Sequence, residues 1–241
     1  MQGPALEAVL SQQEQWSRER LRNYPARPEV LAYRFDPSLD DAALRQRFLH
    51  ALRVNPQIPL PLFLQLPPDQ AEATRPVLPA SAVSTLSRDN GLEGTRFVSL
   101  SVGEWVPVLD VIATAADEPD YGLDLGLWED NGTEHGRRYG FGRQPFGNPA
   151  LAFSSQAPFH MGFFHESPVV YAAAGFLRRT YPEYRVHLWQ ALARQAMKTG
   201  HDYWAWRFAG WALHYVQDLT QPYHARVLPG VSVMRMLGIQ G

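Results

Sequence analysis

The stretch that decides the fold is HDYWAWRFAGWALHYVQDLTQPYHA, residues 201–225, in which apolar and aromatic side chains recur at helical spacing. Side chains three and four residues apart share one face of a helix, so the pattern predicts a helix with a core-facing aromatic side. A Gln-Pro pair at 221–222 is expected to end it. The residues that mark the core face are Trp204, Phe208, Trp211 and Tyr215.

Three polar side chains interrupt this apolar stretch: His214, Asp218 and His224. His214 and Asp218 are four residues apart, so a helix stacks them on one face, where both can ligate one metal ion. Gly210, one turn earlier, would leave room for an ion or another ligand. His224 follows the proline and is expected to approach from another direction, toward a neighbouring ion. The alternative is a partly buried ion pair, although burying several ionisable groups without a cation is costly.

The segment LHYVQDLTQPYHA, residues 213–225, resembles the signature of the bacterial zinc-dependent phospholipases C, LHYLGD-x-x-QPMHA. Their superfamily includes zinc-dependent single-strand-specific nucleases, whose segment ends QPLHDE, and Ala225 favours the phospholipase side. The resemblance implies an all-helical protein with up to three zinc ions. It implies that Asp218 bridges two ions, that His214 ligates one of these, and that His224 ligates the third.

The same resemblance implies an aspartate in an Ala-Ala-Asp context before the central helices, and ATAADEPDYG supplies Asp117. Asp117 would be a zinc ligand and the candidate general base, the alternative being an ordinary acidic turn. A further histidine ligand is expected from APFHMGFFHESP, which offers His160 and His165, and the sequence does not choose between them. Near the N-terminus only Trp16 and His50 are available for a tryptophan and a histidine ligand of the family, and neither has its context.

Composition supports a single globular domain over residues 1–241, with 45% hydrophobic residues and a formal net charge of −2. There are no cysteines, so any metal site must use other ligands. The family has a second ligand pair on a helix beyond this signature, and the domain is therefore expected to be incomplete at its C-terminus. No transmembrane span or signal peptide is recognisable, and the resemblance implies a secreted or periplasmic protein.

The predicted fold is mainly α: a multi-helix, phospholipase C-like or nuclease-like bundle with long irregular loops. Eleven of the 20 prolines fall in the first 80 residues, which predicts a proline-rich part, 1–95, with short helices near 5–22 and 40–53. The remainder, 96–241, is predicted to be the metal-site helical core. TRFVSLSV, residues 95–102, alternates like a strand, and helices are expected near 104–117 and in much of the chain after Ser167.

Residues 121–158 are rich in Gly, Asn and Pro, and a connection of this length is usually functional. Its aromatic side chains are expected to wall a substrate cleft: Trp128, Tyr139, Phe141 and Phe146.

The predicted function is a zinc-dependent phosphodiester hydrolase, most similar to phospholipase C, that uses a metal-activated water. Its substrate would be a phospholipid or another phosphodiester. A single-strand nuclease is the first alternative, and the lack of excess basic charge weighs against it. The second is a non-catalytic helical domain that keeps part of the metal site.

Overall fold

The computed structural model describes residues 1–67, 74–86 and 94–232, together with Leu92, Arg235 and Gly238. The protein is mainly helical, as predicted. The α-helices are α1 (Gly3–Arg20), α2 (Asp41–Leu52), α3 (Val108–Asp117), α4 (Glu134–Arg138), α5 (Ala157–His160), α6 (Pro168–Ala173), α7 (Pro182–Lys198), α8 (Asp202–Asp218) and α9 (Pro222–Ala225). The 3₁₀ turns are Glu29–Leu31, Ala80–Ala82, Glu118–Tyr121, Glu129–Asn131, Phe153–Gln156 and Gly175–Arg178.

Helix starts follow the capping signals of the sequence. The side chain of Asp40 accepts a hydrogen bond from the Ala43 N–H at the start of α2, and Ser167 does the same for Val170 at the start of α6. Pro222 occupies the first turn of α9, where a missing N–H costs nothing. The predicted helices at 5–22 and 40–53 correspond to α1 and α2, and the helix predicted at 104–117 corresponds to α3, which begins at Val108, directly after Pro107.

The strands of the described residues form one small antiparallel sheet in the order β1-β3-β2. Its members are β1 (Phe63–Leu66), β2 (Val77–Leu78) and β3 (Arg96–Ser99). Leu64 pairs with Val98, and Val77 pairs with Val98 from the other side. The alternating segment at 95–102 is therefore a strand, although a shorter one than the pattern predicts.

Helix α8 lies at the centre of the helical layer and packs against α3 and α7. Phe208, Trp211 and Tyr215 of its predicted core face are buried, and Trp204 is partly buried. Gly210 does not make room for an ion, contrary to expectation. A Cβ there would lie 2.5 Å from the Ala115 Cβ, so this glycine permits the close approach of α3 and α8.

The proline-rich N-terminal part shares the core of the remainder. Leu10 and Leu52 belong to the same buried cluster as Trp189 and Trp211. Arg185 of α7 reinforces this contact by donating hydrogen bonds to the Leu52 carbonyl at 2.9 Å and the Arg53 carbonyl at 2.8 Å.

Three of the four aromatic residues expected to wall a cleft belong to the interior instead. Trp128, Tyr139 and Phe141 are at most 2% exposed. Phe146 packs with Phe163 in a smaller cluster. The expectation fails because large aromatic side chains of an irregular segment can be buried in the core as readily as they can line a cleft. Here they pack against α5 and α7.

Candidate metal centre

Helix α8 places His214 and Asp218 one turn apart, with His214 Nε2 at 3.2 Å from Asp218 Oδ2. Both residues are buried. The other ring nitrogen, His214 Nδ1, lies 2.6 Å from the Ala116 carbonyl oxygen, to which it can only donate. This contact with α3 assigns the proton of the neutral ring to Nδ1 and leaves the Nε2 lone pair facing the cluster.

His160 reaches the same point from the C-terminal end of α5. Its Nδ1 lies 2.9 Å from Asp218 Oδ2 and 2.9 Å from His214 Nε2. Two imidazole nitrogens at this separation must share a proton or a cation between them, because two facing lone pairs repel.

Asp120 completes the group from the 3₁₀ turn Glu118–Tyr121, directly after α3. Its Oδ1 lies 3.7 Å from His160 Nδ1 and 3.9 Å from His214 Nε2. The side chain is 52% exposed, so this side of the cluster is open to solvent.

Asp120, His160 and His214 together form a group that could hold a metal ion, with ligand atoms within 4.8 Å of one another. The spacing fits one ion, because ligands about 2.0–2.2 Å from a tetrahedral ion stand roughly 3.3–3.6 Å apart. Nitrogen and carboxylate oxygen ligands suit zinc, and they also suit other transition metals.

His224 lies on the far side of Asp218, with Nδ1 3.0 Å from Asp218 Oδ1. Despite this distance the buried Nδ1 makes no hydrogen bond of acceptable geometry among the described residues. The backbone holds it there, since the Gly162 N–H donates to the His224 carbonyl at 2.9 Å. The two oxygens of Asp218 thus face different histidines, the arrangement expected of a carboxylate between two ions.

A buried aspartate, Asp124, faces the ring nitrogen of His160 that points away from Asp218. Asp124 Oδ2 lies 3.4 Å from His160 Nε2 and accepts a hydrogen bond of 2.6 Å from the Tyr215 hydroxyl. Its Oδ1 lies 2.6 Å from the guanidinium of Arg185. Metal-binding histidines commonly have such a carboxylate on their second nitrogen, which orients the ring and raises its basicity.

The carboxylates shift the protonation of His160. Burial alone would lower its pKa, but Asp124 and Asp218 outweigh burial and raise the pKa of His160 to about 10. Burial likewise opposes the charged form of Asp218, and the adjacent His160, His214 and His224 rings hold the pKa of Asp218 well below its usual value. Without a cation, a proton on His160 therefore balances the cluster, and a metal ion must displace it.

The structure brings His160, His214, Asp218 and His224 together and leaves two of the predicted residues outside. His165 is exposed, and its backbone carbonyl accepts from Arg226. Asp117 is exposed too, and its Oδ2 accepts a hydrogen bond of 2.9 Å from Gln65 Nε2.

Sequence reasoning missed Asp120 and Asp124. The available signal was their four-residue spacing in PDYGLD, residues 119–124, just after the Ala-Ala-Asp context. The early aromatic and histidine candidates take structural positions: the Trp16 ring stacks on His187 with centroids 3.4 Å apart, and the His50 ring packs edge-on against Tyr139.

Comparison with protein-family models finds no match, and neither curated proteins nor solved structures give one. Within the described part of the chain, no helix is long and apolar enough to cross a membrane.

Proposed function

We propose that this protein is a zinc-dependent phosphodiester hydrolase, most similar in chemistry to phospholipase C. One observation carries the proposal. Ligand atoms from α5 and α8 meet within 2.9–3.2 Å at Asp218 Oδ2, with Asp120 on the solvent side. Such a cluster, closed on the protein side and open on one side, is the arrangement that catalytic metal sites require.

Each side chain has a distinct task in this proposal. His160, His214 and Asp120 hold one ion. Asp218 Oδ2 faces the same two ring nitrogens and completes the set of ligands, while its second oxygen faces His224. A bound divalent ion would supply a water of lowered pKa and would neutralise charge on a phosphoryl group. Asp120, being half-exposed, is placed to orient that water and accept its proton. It takes this role in place of Asp117, which is exposed and has one oxygen hydrogen-bonded to Gln65.

The surroundings of His224 favour a phospholipid as the substrate class. Tyr223 is 72% exposed and Phe164 is 49% exposed, and Val227 and Leu228 extend the same apolar rim. Exposed apolar side chains beside a polar cleft suit acyl chains at a lipid surface. Aromatic rings also stack on bases, so a single-strand nuclease is kept as the alternative. An exported location, secreted or periplasmic, belongs to the same proposal.

The first experiment measures bound metal per chain by elemental analysis after extensive dialysis, for the wild type and Asp218→Ala. Asp130→Ala is the matched control, because Asp130 contacts Gln144 and Arg143 away from the cluster. We expect zinc in the wild type and the control, and its loss in Asp218→Ala. A well-folded wild type that binds no zinc under these conditions would exclude the enzyme and favour a non-catalytic domain.

Substrate assays then separate the two enzymes. Phosphatidylcholine vesicles test for release of a phosphorylated headgroup, and a single-stranded oligonucleotide is tested in parallel. We expect headgroup release that EDTA abolishes and zinc restores. Cleavage of the oligonucleotide alone would identify a nuclease instead.

A further inference from the structure

A second site lies on the other side of the helical layer. A cavity of about 410 Å³ opens between α1, α2 and α8, and its walls are mainly apolar. Among the residues that form the walls are Leu6, Phe48, Leu60, Trp189, Trp204 and Phe208. Protein interiors contain few voids larger than a water molecule, whereas small-molecule sites have volumes of about 300–1,000 Å³. The cavity has the size and lining of a ligand site.

This cavity is separate from the metal cluster. None of the cluster residues lines it, and its inner wall is formed by Trp189 and Trp211, which are at most 1% exposed. Leu123, the neighbour of Asp124, is the nearest approach of the cavity lining to the cluster along that segment of chain.

No aspartate or glutamate lines the cavity among the described residues. The ionisable side chains on its lining are those of Arg45, His201 and Tyr33. Arg45 is exposed and forms no ion pair with a carboxylate among the described residues. One of its amino groups donates to the Ile58 and Pro59 carbonyls, at 2.8 and 3.0 Å. A guanidinium has five N–H donors, so others remain for a ligand.

Arg45 also holds a strained turn against the cavity. The next residue, Leu60, has a φ of 53°, in the left-handed region that non-glycine residues seldom adopt. This conformation costs free energy, and strained residues of this kind cluster at binding sites. The turn places Leu60 in the cavity wall beneath the positive charge of Arg45.

We propose that this cavity binds a medium-chain fatty acid, with its acyl chain among the tryptophan and phenylalanine side chains and its carboxylate at Arg45. The apolar walls match a hydrocarbon chain, and the guanidinium of Arg45 matches an anionic head group. The site goes beyond the proposed hydrolase activity and does not depend on it.

Calorimetric titration of the full chain with octanoate, decanoate and dodecanoate, each below its micellar concentration, tests the proposal. We expect one molecule per chain and an affinity that rises about fourfold per added CH₂ until the cavity is filled. Arg45→Gln should weaken dodecanoate binding about five- to tenfold, and it should leave dodecanol binding unchanged. Arg47→Gln, also exposed and on the same helix but outside the cavity lining, is the matched control and should bind as the wild type does.

Two further variants decide between interpretations. Leu44→Trp fills the cavity and should abolish binding of both ligands in folded protein; if it does not fold, the contrast between Arg45→Gln and Arg47→Gln decides alone. Asp218→Ala removes the metal cluster and should leave dodecanoate binding intact. The proposal is overturned by non-saturable binding, by equal affinity in Arg45→Gln and Arg47→Gln, or by loss of binding in Asp218→Ala.

Discussion

Helix α8 carries two groups of buried charge, the Arg207–Glu118 pair near its middle and the His214–Asp218 cluster at its end. Glu118 receives a bidentate contact from Arg207 and a hydrogen bond of 2.6 Å from Trp211 Nε1. Arg207 donates its remaining amino group to the Pro61 carbonyl at 2.7 Å. This pair is therefore closed, with one positive charge matched to one negative charge.

The cluster at the end of α8 is open. His224 Nδ1 is buried without a hydrogen bond of acceptable geometry among the described residues. Two ring nitrogens face one another at 2.9 Å. Burying a polar group without a partner costs free energy, so a fully paired group needs no further partner, whereas an underpaired one leaves an atom free to bind a ligand. The first pair is therefore satisfied within the protein, whereas the cluster includes a group that could hold a metal ion.

The largest expected effect is on protein stability and concerns the Arg207–Glu118 pair. Glu118→Ala should lower the free energy of unfolding by about 3–5 kcal/mol, because it leaves the buried charge of Arg207 unpaired. Chemical denaturation with and without zinc measures the loss, which we expect to be the same in both conditions. A loss that appears only with zinc would mean that this pair serves the metal site.

The next effect is on zinc affinity and concerns Asp124, the carboxylate that faces His160 Nε2. Asp124→Asn should weaken zinc binding about 10- to 100-fold, because the carboxylate no longer orients the His160 ring or raises its basicity. Competition with a chelator of known affinity measures this in protein shown to be folded by circular dichroism. Asp130→Asn is the control, and equal zinc affinity in both variants would contradict the role of Asp124.

A smaller effect follows from the raised pKa of His160. Below its pKa of about 10 the metal-free ring is protonated, so zinc must displace about one proton. Zinc affinity should then rise about tenfold per pH unit between pH 6 and 8, as a chelator competition can measure. His160→Gln should bind zinc more weakly and with a shallower pH dependence, and an equally steep dependence in that variant would assign the proton elsewhere.

The smallest expected effect is that of Asp117→Asn, and comparing it with Asp120→Asn shows which aspartate binds zinc. Asp117→Asn removes an exposed carboxylate and should change stability by no more than about 0.5 kcal/mol, with zinc affinity unchanged. Asp120→Asn should weaken zinc binding measurably. If Asp117→Asn weakened zinc binding in the same competition assay and Asp120→Asn did not, Asp117 would be the ligand that the Ala-Ala-Asp context predicts.

The helices were largely predictable from the chain, because their signals are local. Asp40 and Ser167 mark helix starts whatever the rest of the molecule does, and the aromatic spacing of α8 identifies its buried face. The same holds for His214 and Asp218, since four residues of helix place two side chains on one face in any fold. Gly210 and Trp128 show where this reasoning stops. Their roles in helix packing and core filling depend on neighbours distant in sequence.

By itself the sequence determined a mainly helical protein and the histidine and aspartate pair at the end of its central helix. Only the tertiary structure brought His160 rather than His165, and Asp120 rather than Asp117, into the group that could hold a metal ion. The physical reason is that a metal site requires several ligand atoms within a few ångströms, and these come from α5, α8 and the turn after α3. Their meeting point depends on how closely α3 packs against α8 and on the Asp124 carboxylate behind His160, which no local pattern specifies.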